Sequence, residues 1–151
     1  MQLYLVQHGD AQPEEVDLDR PLTPKGRADV ARVAALAAKL GVRVAEILHS
    51  DKRRAVETAE EFARALGAPR RQLADMGPND DINPMRREAS SRAESYMLIG
   101  HLPFLSRLAG NLTCLDESLQ IVAFQLGGLV RLDRHADGRF SVVWAIPPEA
   151  T

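Results

Sequence analysis

Residues 5–12 read LVQHGDAQ and close a bulky, mostly apolar run that starts at Gln2. Such a run, without polar alternation, fits a strand buried on both faces of a sheet. It ends at Gln7-His8-Gly9, which places an imidazole at the strand's carboxyl end. Open α/β sheets bind their ligands at that edge. If LYLV is a doubly buried strand, the rest of the chain must supply helices for both faces.

The downstream pattern meets that requirement. After a polar loop, AQPEEVDLDRP, the pair Thr23-Pro24 offers a hydroxyl cap and a proline at the first helical position, where a missing amide proton costs nothing. Val30, Val33, Ala34, Ala37 and Leu40 recur at helical spacing and Gly41 supplies the stop. Val44–Leu48 reads as a second strand. Ser50 or Asp51 is then expected to cap a second helix running to Leu66 and closed by Gly67 and Pro69, with a brief strand over Gln72–Ala74. The stretch DMGPNDDINPMRREASSRAE has little apolar periodicity and is expected to be a loop with at most a short helix, the segment most prone to move.

Tyr96–Ile99 is an apolar strand broken by Gly100-His101, and a helix follows from about Pro103 to Leu112. Leu119–Gln125, Leu129–Asp133 and Phe140–Ile146 alternate as strands do, with HADG as a hairpin turn between the last two. Strands separated by helices and then a terminal set of strands predict one α/β domain over residues 1–151. The expected architecture is a three-layer α/β/α sandwich whose sheet is mixed, mainly parallel, with antiparallel strands at the C-terminal side.

Composition narrows the function classes. A length of 151 residues with 45% hydrophobic and 26% charged residues suits one core. The net charge of −2 is the remainder of 19 basic and 21 acidic side chains, so no overall field favours nucleic acid or an anionic membrane. Cys114 is the single cysteine, which leaves no internal disulfide and no cysteine metal cluster. MQLYLVQHG has no basic leader and no apolar stretch of signal-peptide length, so a cytoplasmic location is the expectation.

His8 after LYLVQ and His101 after YMLIG occupy matching places, each beyond a strand and next to a glycine. Either alone could be a packed structural histidine. SDKRRAVET leaves the second strand at the same edge and enters a helix, where unpaired amides and the helix dipole favour a phosphate or carboxylate. By itself, Lys52-Arg53-Arg54 could equally be a solvated basic turn.

In combination, QHGDA, RPLTPKG, SDKRRAVETA and IGHLP, in this order and spacing, resemble the histidine phosphatase superfamily, and most closely its short SixA-type phosphohistidine phosphatases. The similarity runs through nearly the whole chain. It implies Ser-x-x-x-Arg-Ala-x-x-Thr after the second strand, met by Ser50, Arg54, Ala55 and Thr58, and Gly-His after a later one, met by Gly100 and His101. It further implies phosphoryl transfer in two steps: a neutral His8 nitrogen attacks phosphorus, and water hydrolyses the phosphohistidine. Arg54 and His101 would then hold the phosphoryl oxygens, with Gln7 and Gly9 also lining the phosphate site. Gly9 is expected to leave room for the carbonyl that fixes the other ring nitrogen of His8. No cofactor and no metal are needed for this scheme. His49 and His135 are expected to be structural.

Position 7 departs from the resemblance, which implies arginine before the histidine. Gln7 brings only neutral amide donors, so phosphate or transition-state binding should weaken by about tenfold. Arg20, Lys52, Arg53, or the pair Arg86 and Arg87 could compensate; Arg20 is expected to be partly claimed by Asp17 and Asp19. The proton donor for a poor leaving group would be Asp81, or next Asp80, in MGPNDDINP. Imidazole leaves far more readily than an alkoxide, since its conjugate acid has a pKa near about 6.5. The expected substrate is therefore a phosphohistidine-bearing protein. The alternatives are a small phosphomonoester and a catalytically weak relative that binds phosphate or a phosphoprotein as a regulatory module.

Overall fold

The computed structural model describes residues 1–151 and holds six strands and four α-helices. In chain order these are β1 (Gln2–Gln7), α1 (Pro24–Lys39), β2 (Ile47–Ser50), α2 (Arg53–Leu66), β3 (Arg70–Leu73), α3 (Asn83–Ser91), β4 (Tyr96–Gly100), α4 (Phe104–Cys114), β5 (Leu129–Arg134) and β6 (Phe140–Ile146). The strands form one sheet in the order β3-β2-β4-β1-β5-β6. β1, β2, β3 and β4 run parallel, while β5 and β6 are antiparallel additions. This is the mixed, mainly parallel sheet expected, with its antiparallel part at the C-terminal side.

Right-handed crossovers explain the layers. Successive steps from β1 to β2 and from β2 to β3 travel one way along the sheet and put α1 and α2 on one face; the return from β3 to β4 puts α3 on the other. Side chains of the central strands alternate accordingly. Tyr4, Val6, Met97 and Ile99 pack with Val30, Val33, Ala59 and Phe62 of α1 and α2. Leu3, Leu5, Tyr96 and Leu98 pack with Met85, Phe104, Leu105 and Leu108 of α3 and α4. Both faces of β1 and β4 are thus dry, which is why their sequences lack polar alternation.

Most helix ends follow local chemistry. Thr23 accepts from the Gly26 amide at 2.9 Å and Pro24 opens α1; Gly67 closes α2 in the left-handed conformation at φ 62°. Two expectations need correction. No strand forms over Leu119–Gln125: the segment pairs with no strand of the sheet and instead lies over the first core cluster through Ile121, Val122 and Phe124. The 75–94 stretch holds the one short helix the sequence allows, the nine-residue α3, and Met76, Ile82, Met85 and Ala89 are buried within it. Neither Ser50 nor Asp51 caps α2; Lys52 occupies the N-cap position with no side-chain cap bond. No helix is long and apolar enough to cross a membrane.

Candidate functional site

Sheet register brings the two histidines together. Gln7 is paired with Gly100 across β1 and β4, and the His8 amide donates to the Gly100 carbonyl at 3.0 Å. The residues that follow, His8 and His101, therefore leave the sheet side by side, with ring centroids 5.1 Å apart. β2 lies on the other side of β4 and ends at Ser50, so the entry to α2 joins the same edge.

Each ring has a defined set of partners. His8 Nδ1–H donates to the Gly9 carbonyl at 2.8 Å, which leaves Nε2 as the acceptor nitrogen. Arg54 Nε–H donates to that Nε2 at 3.3 Å. His101 Nε2 shares a 2.7 Å hydrogen bond with the Ser50 hydroxyl, which also accepts from the Lys52 amide. His101 Nδ1 is buried with no protein partner, an open polar position in a ring only 1% exposed. Thr58 ties the parts together: its hydroxyl accepts from the Gly9 amide at 3.0 Å and donates to the Arg54 carbonyl at 2.7 Å. Ser50 and Thr58 thus orient the imidazoles and the arginine, a supporting role that their spacing in the sequence signals only through the resemblance.

Gly9 meets a requirement other than the expected one. A Cβ there would lie 2.7 Å from Val30 Cγ2 and 3.2 Å from the Gly26 carbonyl, so its small size serves the packing of this loop on α1. Asp10, which the sequence reading passed over, anchors the same junction. Its carboxylate accepts from the Thr23 hydroxyl at 2.7 Å and its carbonyl from the Thr23 amide at 2.9 Å.

Both rings are held neutral. Burial pushes His8 down to about 4; the Gly9 bond works against this, while the Arg54 and Arg20 charges add to it. Burial likewise lowers His101 to about 3, helped by His8 and the Arg54, Lys52 and Arg20 cations. Arg54 is itself lowered by burial and then by Arg20.

A prediction for stability follows. An unfolded imidazole titrates near 6.5, so as pH falls below that value the unfolded chain takes up protons that the folded site refuses. Folding stability should therefore decline as pH drops from 6.5 toward 4, by on the order of a few kcal/mol. Burial of His49 acts in the same direction. Urea midpoints at pH 6.5, 5.5 and 4.5 check this, and a flat series would mean that the rings accept protons in the folded protein.

Gln7 lines a cavity of about 700 Å³ with Asp10, Lys25, Leu102 and Phe124. Arg54 lines a second of about 700 Å³ with Arg20, Lys52 and Glu14. Asp81 is exposed and its carboxylate accepts from the Asn83 amide at 3.0 Å, while Asp80 accepts from the Gly77 amide at 2.7 Å. Both carboxylates serve the turn before α3, and neither bonds to the imidazole pair. His49 Nδ1–H donates to the Ser50 carbonyl and its Nε2 accepts from Arg70 at the sheet edge, and His135 pairs with Ser141 in the hairpin. No three His, Cys, Asp or Glu side chains converge as a metal-binding set.

A neutral nitrogen with a fixed tautomer, a guanidinium against it, an unpartnered buried imidazole nitrogen and an uncapped helix N-terminus are the groups that an oxyanion would use. Comparison with known proteins bears on the family and the fold. The family model for the histidine phosphatase superfamily (branch 1) matches residues 3–77. An uncharacterized protein of Picosynechococcus sp. is 29% identical, over 97% of this chain and 100% of its own length. The structure of the protein histidine phosphatase SixA complexed with tungstate superposes with a TM-score of 0.86 at 23% identity, covering 98% of this chain and 97% of that one. An Agrobacterium tumefaciens protein assigned as a SixA phosphohistidine phosphatase gives a TM-score of 0.79 at 26% identity, with 97% of each chain covered.

Proposed function

The chain belongs to the histidine phosphatase superfamily, and from that premise we propose that it hydrolyses phosphohistidine on a partner protein through a phosphorylated His8. The observation that carries this reading is the tautomer of His8. With Nδ1–H committed to the Gly9 carbonyl, Nε2 holds a free electron pair beside Arg54 at neutral pH.

In the first step Nε2 attacks phosphorus and the substrate's phosphorus–nitrogen bond breaks. The electron pair goes to the departing imidazole, which takes up a proton. In the second step water attacks the phosphorus of phospho-His8, the phosphorus–Nε2 bond breaks with its electron pair returned to His8, and inorganic phosphate leaves as the water gives up a proton. Arg54, the His101 ring and the free amides at the start of α2 offset the charge that builds on the equatorial oxygens. Gln7, which lines a cavity other than the one Arg54 borders, adds no charge to these groups.

The placement of the carboxylates bears on the substrate. With Asp80 and Asp81 bonded to amides of their own turn, the imidazole pair has no carboxylic acid from that loop. Such a site suits a leaving group that departs without strong acid assistance, as imidazole does. The test is a comparison of kcat/KM on a phosphohistidine peptide, a phosphoserine peptide and p-nitrophenyl phosphate. The phosphohistidine peptide should exceed the phosphoserine peptide by about a hundredfold or more, the scale of one lost general acid. A preference for alkyl phosphate esters would instead support a small-molecule phosphomonoesterase. Phosphate binding with no turnover on any of the three would support the regulatory binding module.

A further inference from the structure

Gln7 brings no charge to the oxyanion site, and the cations that could replace the missing one have different surroundings. Arg53 is committed to Glu57 at 3.6 Å and Asp19 at 3.8 Å. Arg86 donates to Asn83 and borders a separate cavity with Asn111 and Arg139, and Arg87 is exposed on α3. Lys52 borders the same cavity as Arg54 and its charge also lowers His101, but its ammonium is exposed at the start of α2 with no hydrogen bond to fix its place. Arg20 differs from all of these. Asp17 accepts from the Asp19 amide and Asp19 faces Arg53, so neither holds Arg20 as the sequence had suggested.

Arg20 is fixed by other means. Its Nε–H donates to the Gln12 carbonyl at 2.9 Å, which orients the fork and leaves both Nη groups free of protein partners. The loop that carries it is closed by the Ala11–Leu22 bridge and by the Gln12 amide on the Pro21 carbonyl at 2.8 Å. Within it Arg20 adopts φ 49°, the left-handed region that costs any residue with a Cβ. Backbone strain at the rim of a site points to a side chain with work to do there.

The charge pattern gives that work a direction. Arg20 and Arg54 border one cavity of about 700 Å³, and neither forms an ion pair with a carboxylate, although Glu14 borders the same space. Arg20 lowers Arg54, His8 and His101 alike, so its field reaches every group of the site. Two like charges held facing one cavity repel, and an anion between them relieves the repulsion. His101 Nδ1, buried and unpartnered, is a further group waiting for a ligand.

We infer that Arg20 is an anion-binding residue of this site and, with Arg54, supplies the fixed charge that Gln7 does not. The identity of the anion as a phosphoryl group rests on the proposed phosphatase reading, whereas oxyanion binding is measured apart from turnover.

The test titrates inorganic tungstate calorimetrically into the wild-type protein and the variants Arg20→Gly, Arg20→Lys and Arg53→Gln. Glycine accepts φ 49° without strain, so Arg20→Gly should keep the loop and its thermal midpoint within about 3 °C while it removes the charge. Tungstate affinity should fall about tenfold or more in Arg20→Gly, recover to within about threefold in Arg20→Lys, and stay within about twofold in Arg53→Gln. Retained affinity in Arg20→Gly, or an equal loss in Arg53→Gln, overturns the assignment and leaves the phosphatase reading intact. A wild-type protein that turns over phosphohistidine but binds no tungstate also overturns it. Failure of wild type in both assays removes the phosphatase reading as well.

Discussion

A His8→Ala protein is expected to form no phosphoenzyme and to lose turnover by on the order of a thousandfold or more, the scale seen when an enzyme loses its nucleophile. The substitution removes Nε2, and no neighbour can take its place. His101 is the nearest imidazole, but its Nε2 is engaged with Ser50, and its ring centre lies 5.1 Å from that of His8. The fold should survive, because His8 spends its Nδ1–H on the carbonyl of the next residue and stands at the sheet edge rather than inside either apolar cluster. Rapid quenching at neutral or alkaline pH followed by mass spectrometry would show the acid-labile phosphoryl group on wild type and none on the variant. Turnover unchanged in His8→Ala would remove His8 from the chemistry.

The same protonation state sets the pH profile of the wild-type enzyme. Attack needs the electron pair on Nε2, and a proton there removes it. With His8 held down to about 4, kcat/KM should persist well below the ordinary imidazole range and fall as pH passes through about 4. An acidic limb near 6.5 would place the nucleophile in a more solvated setting than its buried position gives it.

The sequence carried the elements whose signals are local. β1 and β4 are legible because burial on both faces leaves nothing polar in LYLV and YMLI. Thr23-Pro24 marks the start of α1 because a cap and a first-turn proline act within a few residues. The segment 119–125 misled because alternation shows only that one side of a chain is covered. Whether such a segment pairs with a sheet edge or covers a core cluster depends on tertiary packing, which no window of sequence contains. The candidate site divides the same way. His8, Arg54 and His101 stand at ends of elements that the pattern locates, so their meeting follows from topology. For Arg20, the neighbouring Asp17 and Asp19 in the sequence suggest a charge that is partly claimed. Its actual surroundings depend on a loop closure across Ala11 and Leu22 and on Asp19 turning toward Arg53.

The close approach of RPLTPKG to the His8 loop leads to the largest effect expected on stability. A Cβ at Gly26 would strike the Asp10 carbonyl and come within 2.8 Å of the Asp10 nitrogen. Both are backbone atoms, and they are pinned: Asp10 holds the Thr23 amide through its carbonyl and the Thr23 hydroxyl through its carboxylate, while Thr23 caps the Gly26 amide. A flexible side chain could swing away from the added methyl, but here either α1 or the Gly9-Asp10 backbone must shift. Gly26 lies in the first turn of a regular helix, so the gain in helix propensity from alanine, about 1 kcal/mol, opposes this cost and does not cover it. Gly26→Ala should be destabilised by about 2–3 kcal/mol net, the range for overpacking a site that cannot relax. That corresponds to a thermal midpoint about 5–10 °C lower for a chain of this size. Turnover should fall too, because a displaced Asp10 carries Gly9 with it, and the Gly9 carbonyl fixes the tautomer of His8. Calorimetry and initial rates on one preparation check both effects. A Gly26→Ala protein as stable and as active as wild type would mean that α1 can move away from Asp10 without disturbing His8, and that the two motifs are packed together but not mechanically coupled.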